Sequence, residues 1–532
     1  MDRARLIKII VFITGILLLA VAVFLVFFNK GTRVINRPQP TDISKIPFDG
    51  TGATPISGST NPDGQTPTGP NATPVIETTE TIGKFKKLST GPVAGYISRQ
   101  TQKTIIVPIE ATSTSDIANL STEEKAVLTK TIVKTVPTIR YTDARNGFVY
   151  DAEIDETEIT RTQITDTFIA NVAEAVFDGP SKVALRYVNP QTEEIQTYDG
   201  SIPEKKPAEK VCRGEITDDL KKGTKGDQVI TLQTFLAYLD GAQSKADGSF
   251  GPATEASVKR FQAKNTLAET GIMSTEMRAV FNRQCAETQA ILDKKALEPV
   301  SITGSFMGQT ILQMIPLQKT GVFMLSKTQN GSKGITRVAG KTSDVFTSAL
   351  TEWLPYDIGK GSLVMAVKPS GLVDGFAYFY NTATQTYTKI TGGVKGLTVL
   401  PNSDGSKVLL GGIIQDKGLR LGLYDNKTKS IQTSQVATLP EKCTFAGTAT
   451  IYCGVPQQLP AATYPDDWYK GSVGFTDTLT KTNIDTGTTV NLEVPNGIFS
   501  FDYTQMSIDQ SGRYLLFVDK KTGALWSYDT QL

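Results

Sequence analysis

The stretch SKVLLGGIIQDKGLRLGLYDNKTKSIQTS, residues 406–434, carries the pattern on which the fold turns. Val408 to Leu410 form an apolar run, a turn follows, and Leu419, Leu421 and Leu423 then alternate with other residues. An Asp425-Asn426-Lys427-Thr428 turn closes that run and leads into a last short segment. Period-two alternation punctuated by Gly, Asp and Asn predicts successive antiparallel strands joined by tight turns. The same order recurs at 362–393 and 512–532, with partial copies at 182–200 and 478–494.

Repeats of about 40–45 residues with four strands each predict the blades of a β-propeller. The two ends of the chain fit that reading. The last unit stops after a third strand at Leu532, while GKFKKLSTGPVAG (83–95) resembles the fourth-strand piece TYTKITGGVKG (386–396). A strand missing at one end and spare at the other lets two open edges pair. The expected fold is therefore mainly β, a propeller of seven blades. A pair of β-sandwiches is the alternative, and it leaves that complementarity unexplained.

Composition narrows the chemistry. The 532 residues exceed one ordinary domain, 39% of them are hydrophobic, and the net charge of +2 gives no reason to expect a nucleic-acid partner. Histidine is absent, which removes Ser-His-Asp and Cys-His catalysis and any zinc site needing His ligands. No metal or cofactor is expected.

Near the N-terminus, Ile9 to Phe28 is uncharged and apolar, about 30 Å long as a helix, which matches the hydrocarbon core of a bilayer. An anchor over 1–30 is expected; cleavage as a signal peptide at Ala20-Val21-Ala22 is the rival, although six further apolar residues follow that triplet. Residues 31–82 read as a flexible linker, since 19 of the 30 residues from 51 to 80 are Thr, Pro, Gly or Ser. The ring is then expected over 83–207 and 289–532. A capping-box pattern at Ser121 and Glu124 predicts a helix over 119–135 beside the first blade.

The four cysteines form two local pairs, Cys212 with Cys285 and Cys443 with Cys453, the second bracketing a hairpin turned at Gly447. Even pairing points to disulfides and an oxidising compartment, with four free core thiols as the alternative. Disulfides place the bulk of the chain outside the cytoplasm with its N-terminus inside.

From 208 to 288 the alternation gives way to helical spacing. Val229, Leu232 and Leu239 mark one helix, Pro252 with Val258 and Phe261 a second, and Ser274 with Met277, Val280 and Phe281 a third. Leu220, Gly223, Gly226, Val229, Leu232-Gln233, Asp247-Gly248, Phe250-Gly251, Thr254, Val258, Phe261-Gln262 and Thr270-Gly271 follow the pattern of a peptidoglycan-binding type 1 domain. The segment resembles that family, departing from it where Asn265-Thr266-Leu267 stands in place of Gly-Leu. The surrounding repeats are similar to WD-repeat or TolB-like propellers.

The resemblance implies a bacterial envelope protein that binds glycan or stem peptide without cleaving it, in a groove beside the Asp-Gly-x-Phe-Gly turn. Gln233, Ser249, Arg260 and Gln262 are the candidate polar contacts, with Asp247, Gly248, Phe250, Gly251 and Thr254 forming the turn. Most of these motif residues also serve the fold through tight turns, caps and core packing. A cysteine on each side of the insertion ties its two ends together.

Three functions are open. In the first, a single-pass inner-membrane protein holds peptidoglycan or another wall glycan through the helical module and an envelope protein through the ring. The loop 455–475 is its partner-facing patch, because Tyr464, Trp468 and Tyr469 stand beside Asp466 and Asp467; the alternative is a loop folded back on its own blade. In the second, the module is a degenerate structural or protein-docking insertion. In the third, the ring is a carboxylate-dependent glycan hydrolase using Asp466 and Asp467.

Overall fold

The computed structural model describes residues 81–531, apart from 109–128, 155–158, 190, 207, 242–245, 309, 414–417 and 493–499. The expected membrane segment 9–28 and the linker lie outside the described residues. Among the described residues, no helix is long and apolar enough to cross a membrane.

The described chain is mainly β and propeller-like. Strand pairing gives open antiparallel sheets that resolve into four-stranded meanders. The stretch 406–434 supplies Lys407–Ile413, Leu419–Asp425 and Ser430–Thr433, the last three strands of the fifth meander. Its first strand is the far half of Thr386–Pro401, whose near half closes the fourth meander, so two units share one long strand. A second shared strand, Phe85–Pro108, joins the first and last meanders. Its start pairs with Ala524–Asp529, Phe85 opposite Tyr528 and Lys87 opposite Trp526, and its remainder opens the first meander against Thr129–Asp143.

Burial explains why these strands stack. Each meander buries both faces against its neighbours. Ala94 and Val149 pack with Val183 and Leu185 between units one and two. Phe323 and Leu325 meet Trp353 and Leu363 between three and four. Tyr452 and Leu479 meet Tyr503 and Phe517 between six and seven. Leu516 and Val518 of the last unit then pack on Val93 and Ile139 of the first. The first strands of units one, two, three, four and seven line an axial cavity of about 660 Å³, whose remaining wall includes Glu441, Tyr469 and Lys470. Gly95 is required there: a Cβ on it would stand 2.0 Å from the Ala175 carbonyl oxygen of the neighbouring unit.

The expected helix over 119–135 is corrected. Thr129–Asp143 is a strand, in register with Phe85–Pro108 from Thr129 opposite Pro108 to Asp143 opposite Val93. The β-branched run Thr131-Ile132-Val133 favours extended backbone, and the long hairpin partner supplies the ladder. The rest of that expectation, 119–128, lies outside the described residues.

The helical segment interrupts the second meander between its third strand, Ile195–Ser201, and its fourth, Thr303–Phe306. Its helices are α1 (Asp227–Leu239), α2 (Pro252–Lys264) and α3 (Thr275–Leu297). Leu232, Phe235, Val258, Phe261, Met277 and Phe281 form a core to which, among the described residues, no ring residue contributes. Both disulfides are present, Cys212–Cys285 within this module and Cys443–Cys453 across directly opposed strand positions. The module runs past the expected boundary at 288: Gln289, on α3, accepts the Val211 and Cys212 amides at 2.9 and 3.0 Å.

Candidate functional site

Two glutamines organise the module, and both were expected to face a ligand. Gln233, one residue after core Leu232 on α1, donates to Asp247 Oδ1 (2.8 Å), the Ser249 carbonyl (3.0 Å) and Thr254 Oγ1 (3.0 Å). Its oxygen accepts the Gly248 amide at 2.9 Å. Gln262, one residue after core Phe261 on α2, repeats the device. It donates to Thr270 Oγ1 and the Ile272 carbonyl and accepts the Gly271 amide, at 3.0, 2.9 and 2.9 Å. Gly248 and Gly271 each have φ of +70°, which makes the turn cheap only for glycine. The Leu-Gln…Asp-Gly and Phe-Gln…Thr-Gly pairs are thus one helix-staples-turn unit used twice.

That geometry corrects part of the candidate list. Gln262 and Phe250 are each 1% exposed, and Gly248 and Thr254 are also buried. These residues are spent on the fold: Gln262 partners a turn amide that lacks regular pairing, and Phe250 packs in the core. Asp247 is exposed, and the Ser249 amide and Gln233 hold its carboxyl below the usual range. Arg260 is exposed and bonds Asp240 Oδ2 and Ser257 Oγ, both at 2.7 Å. Asp247, Arg260 and the half-buried Gln233, Ser249 and Gly251 are the candidates that retain surface.

Burial removes two aromatic members of the partner-facing patch expected in loop 455–475, and leaves Asp466, Asp467 and Tyr469 half-buried. Tyr464 is 8% and Trp468 2% exposed, packed with Leu419, Leu439 and Phe475. Asp466 and Asp467 sit in a short helical turn, Asp466–Tyr469, and serve the backbone: Asp466 accepts the Gly371 amide and Asp467 the Thr463 amide. Tyr469 donates to Glu441. Each carboxylate thus has a structural partner of its own in the backbone. The loop lies on its own ring because Trp468 and Phe475 cover a buried ammonium.

That ammonium, Lys442, is a residue the sequence reading missed. It bridges Asp477 Oδ2 at 2.7 Å and Asp502, with side chains 0%, 0% and 2% exposed for Lys442, Asp477 and Asp502. The indole nitrogen of Trp468 and the Phe475 amide donate to Asp502 at 3.1 and 3.0 Å. Burial lifts the Asp477 carboxyl to about 6 against the pull of Lys442. Nothing local in the sequence marks this trio, since its members are spread over 60 residues. Among the described residues, no group of three or more acidic or cysteine side chains is placed to hold a metal.

Residues 225–280 match a protein-family model described as "Putative peptidoglycan binding domain". No curated protein matches the chain. Among solved structures, TolB from Acinetobacter baumannii is similar at 11% identity and a TM-score of 0.28, covering 44% of this chain and 58% of that one. The β-propeller domain of the Trilobed protease from Pyrococcus furiosus is similar at 10% identity and 0.29, covering 42% and 69%. An oligogalacturonate lyase in complex with manganese is similar at 8% identity and 0.37, covering 81% and 98%.

Proposed function

We propose that this chain is a non-catalytic protein of the bacterial cell envelope, anchored in the inner membrane through residues 9–28 with its N-terminus in the cytoplasm. Its head is a seven-bladed propeller that carries a peptidoglycan-binding module on the rim of the second blade and offers the remaining surface to an envelope protein. The observation that carries this reading is the family match at 225–280, on a module with a core of its own and disulfide-tied ends. Two disulfides suit an oxidising compartment outside the cytoplasm. Two weak attachments on one tethered chain raise effective concentration without further contacts.

Co-sedimentation of the intact chain with purified sacculi tests the reading, beside a chain in which residues 208–298 are replaced by a short turn. Pelleting that disappears with the module supports wall binding. Equal behaviour of the two chains sinks it.

A second reading keeps the module as a docking knob for protein. It is favoured by one observation: Gln233, Phe250, Thr254 and Gln262 are occupied inside the fold. An intact chain that leaves sacculi in the pellet and itself in the supernatant selects this reading.

A further inference from the structure

The axial cavity is built from irregular strands. In a regular strand, side chains alternate strictly, and an extra residue on one side of a pair re-aims the side chains beyond it. Four first strands around the cavity carry such an irregularity at the depth of the cavity. In unit one the register slips between Val93 and Gly95, in unit two between Val172 and Glu174, and in unit three between Ile311 and Gln313. In unit seven it slips between Thr504 and Ser507, where Gln505 has φ of +48° and an exposed side chain. Tyr96, Glu174, Gln313 and Gln505, at or just beyond these slips, all line the cavity. A positive φ on a non-glycine residue beside a cavity is a cost that the fold keeps.

The lining between these polar groups is apolar, from residues such as Val176, Met314, Leu354 and Met506, with Tyr356 and Tyr469 on the wall. Its cations are paired or solvated, and its acids are paired or held toward the neutral form. Arg186 donates to Glu174 at 2.8 Å, and Lys368 pairs with Glu352 at 2.9 Å. Glu441 accepts from the Tyr469 hydroxyl through Oε1, its Oε2 is buried without a hydrogen bond among the described residues, and burial holds the carboxyl above the usual range, toward its neutral form. Lys470 is exposed to solvent. The Tyr356 hydroxyl and the Gln313 amide have no hydrogen bond among the described residues. An anion would find no unpaired buried cation among the described lining residues, and a cation would meet in Glu441 a carboxyl that burial holds toward its neutral form. A neutral ligand with many hydroxyls and apolar ring faces would find both surfaces it needs.

We infer that the axial cavity is a binding site for a neutral oligosaccharide of two or three sugars, held by Tyr356, Gln313 and Gln505. Its volume falls within the range of about 300–1,000 Å³ of small-molecule sites. The site goes beyond the proposed function, because it is separate from the helical module and gives the ring a ligand of its own.

The test is calorimetric titration of the full-length chain with tri-N-acetylchitotriose, alongside Tyr356→Phe, Gln313→Ala and Gln505→Gly. The last keeps the positive-φ backbone and removes only the side chain. Expected is saturable binding of one trisaccharide per chain, weakened about fivefold to tenfold by each variant at unchanged melting temperature. Replacement of the module by a short turn leaves this binding in place, so loss of sacculus binding and loss of trisaccharide binding are separate results. Absence of heat at millimolar trisaccharide, affinities equal in all three variants, or tighter binding of an anionic trigalacturonate would each overturn the inference.

Discussion

Replacing Lys442 by Met removes a buried positive charge while keeping nearly the same side-chain volume, so the cost is electrostatic rather than a cavity. In the native protein the ammonium sits 2.7 Å from Asp477 Oδ2, contacts Asp502, reaches the Tyr503 carbonyl at 3.2 Å, and lies 4.8 and 5.2 Å from the Phe475 and Trp468 rings. Without it, two carboxylates face each other in a site closed to water. Breaking a buried ion pair from one side costs about 3–5 kcal/mol. The sign of the pH dependence is set by Asp477, whose folded value of about 6 lies above the ordinary 3.8. The folded state therefore holds that proton more tightly, and the contribution to stability is largest at the acid end and falls as pH rises through that window. In Lys442→Met the Asp477 carboxyl loses the cation that pulls it down, so it titrates higher still and the loss at neutral pH shrinks on acidification. Thermal unfolding followed through tryptophan fluorescence between pH 5 and 8 measures this. A loss below about 1 kcal/mol at neutral pH, or a deficit that grows toward pH 5, would refute the reasoning. Adding Asp477→Asn and Asp502→Asn to Lys442→Met removes the stranded charges and restores most of the stability.

Gln233→Ala deletes four hydrogen bonds at the 247–254 turn and is expected to lower the module's stability by about 2–4 kcal/mol, read from its melting transition. If the variant melts like the wild type, the staple is not structural. Removing the Cys212–Cys285 disulfide by Cys212→Ser with Cys285→Ser opens a loop of separation 73, worth about 4 kcal/mol by chain entropy, and module melting reports it while the ring transition stays in place. Gly95→Ala pushes a methyl into the Ala175 carbonyl and must part the first two inner strands, a loss of about 2 kcal/mol or more in ring stability. A melting temperature unchanged by Gly95→Ala would mean that those strands are not held in contact.

The β-rich head, the disulfide pairs and the helical insertion were legible from residues alone, because each rests on local spacing. Leu419, Leu421 and Leu423 alternate because one strand has two faces, and Val229, Leu232 and Leu239 recur because one helix has a buried stripe. The candidate contacts were only half legible. Leu-Gln and Asp-Gly are adjacent pairs in the text, but whether Gln233 faces a ligand or its own turn depends on where residues 247–254 arrive in space.

Loop 455–475 was partly misread for a related reason. Aromatic and acidic residues together look like a surface patch until a buried Lys442, more than 20 positions away, is found beneath them. The axial cavity lay wholly beyond sequence reading. Its polar groups come from different meanders, and the bulges that aim them are properties of paired backbones, decided only when the strands meet. Periodicity along the chain determined what this protein is made of; tertiary packing decided which of its polar side chains remain free to bind, since that depends on partners distant in sequence.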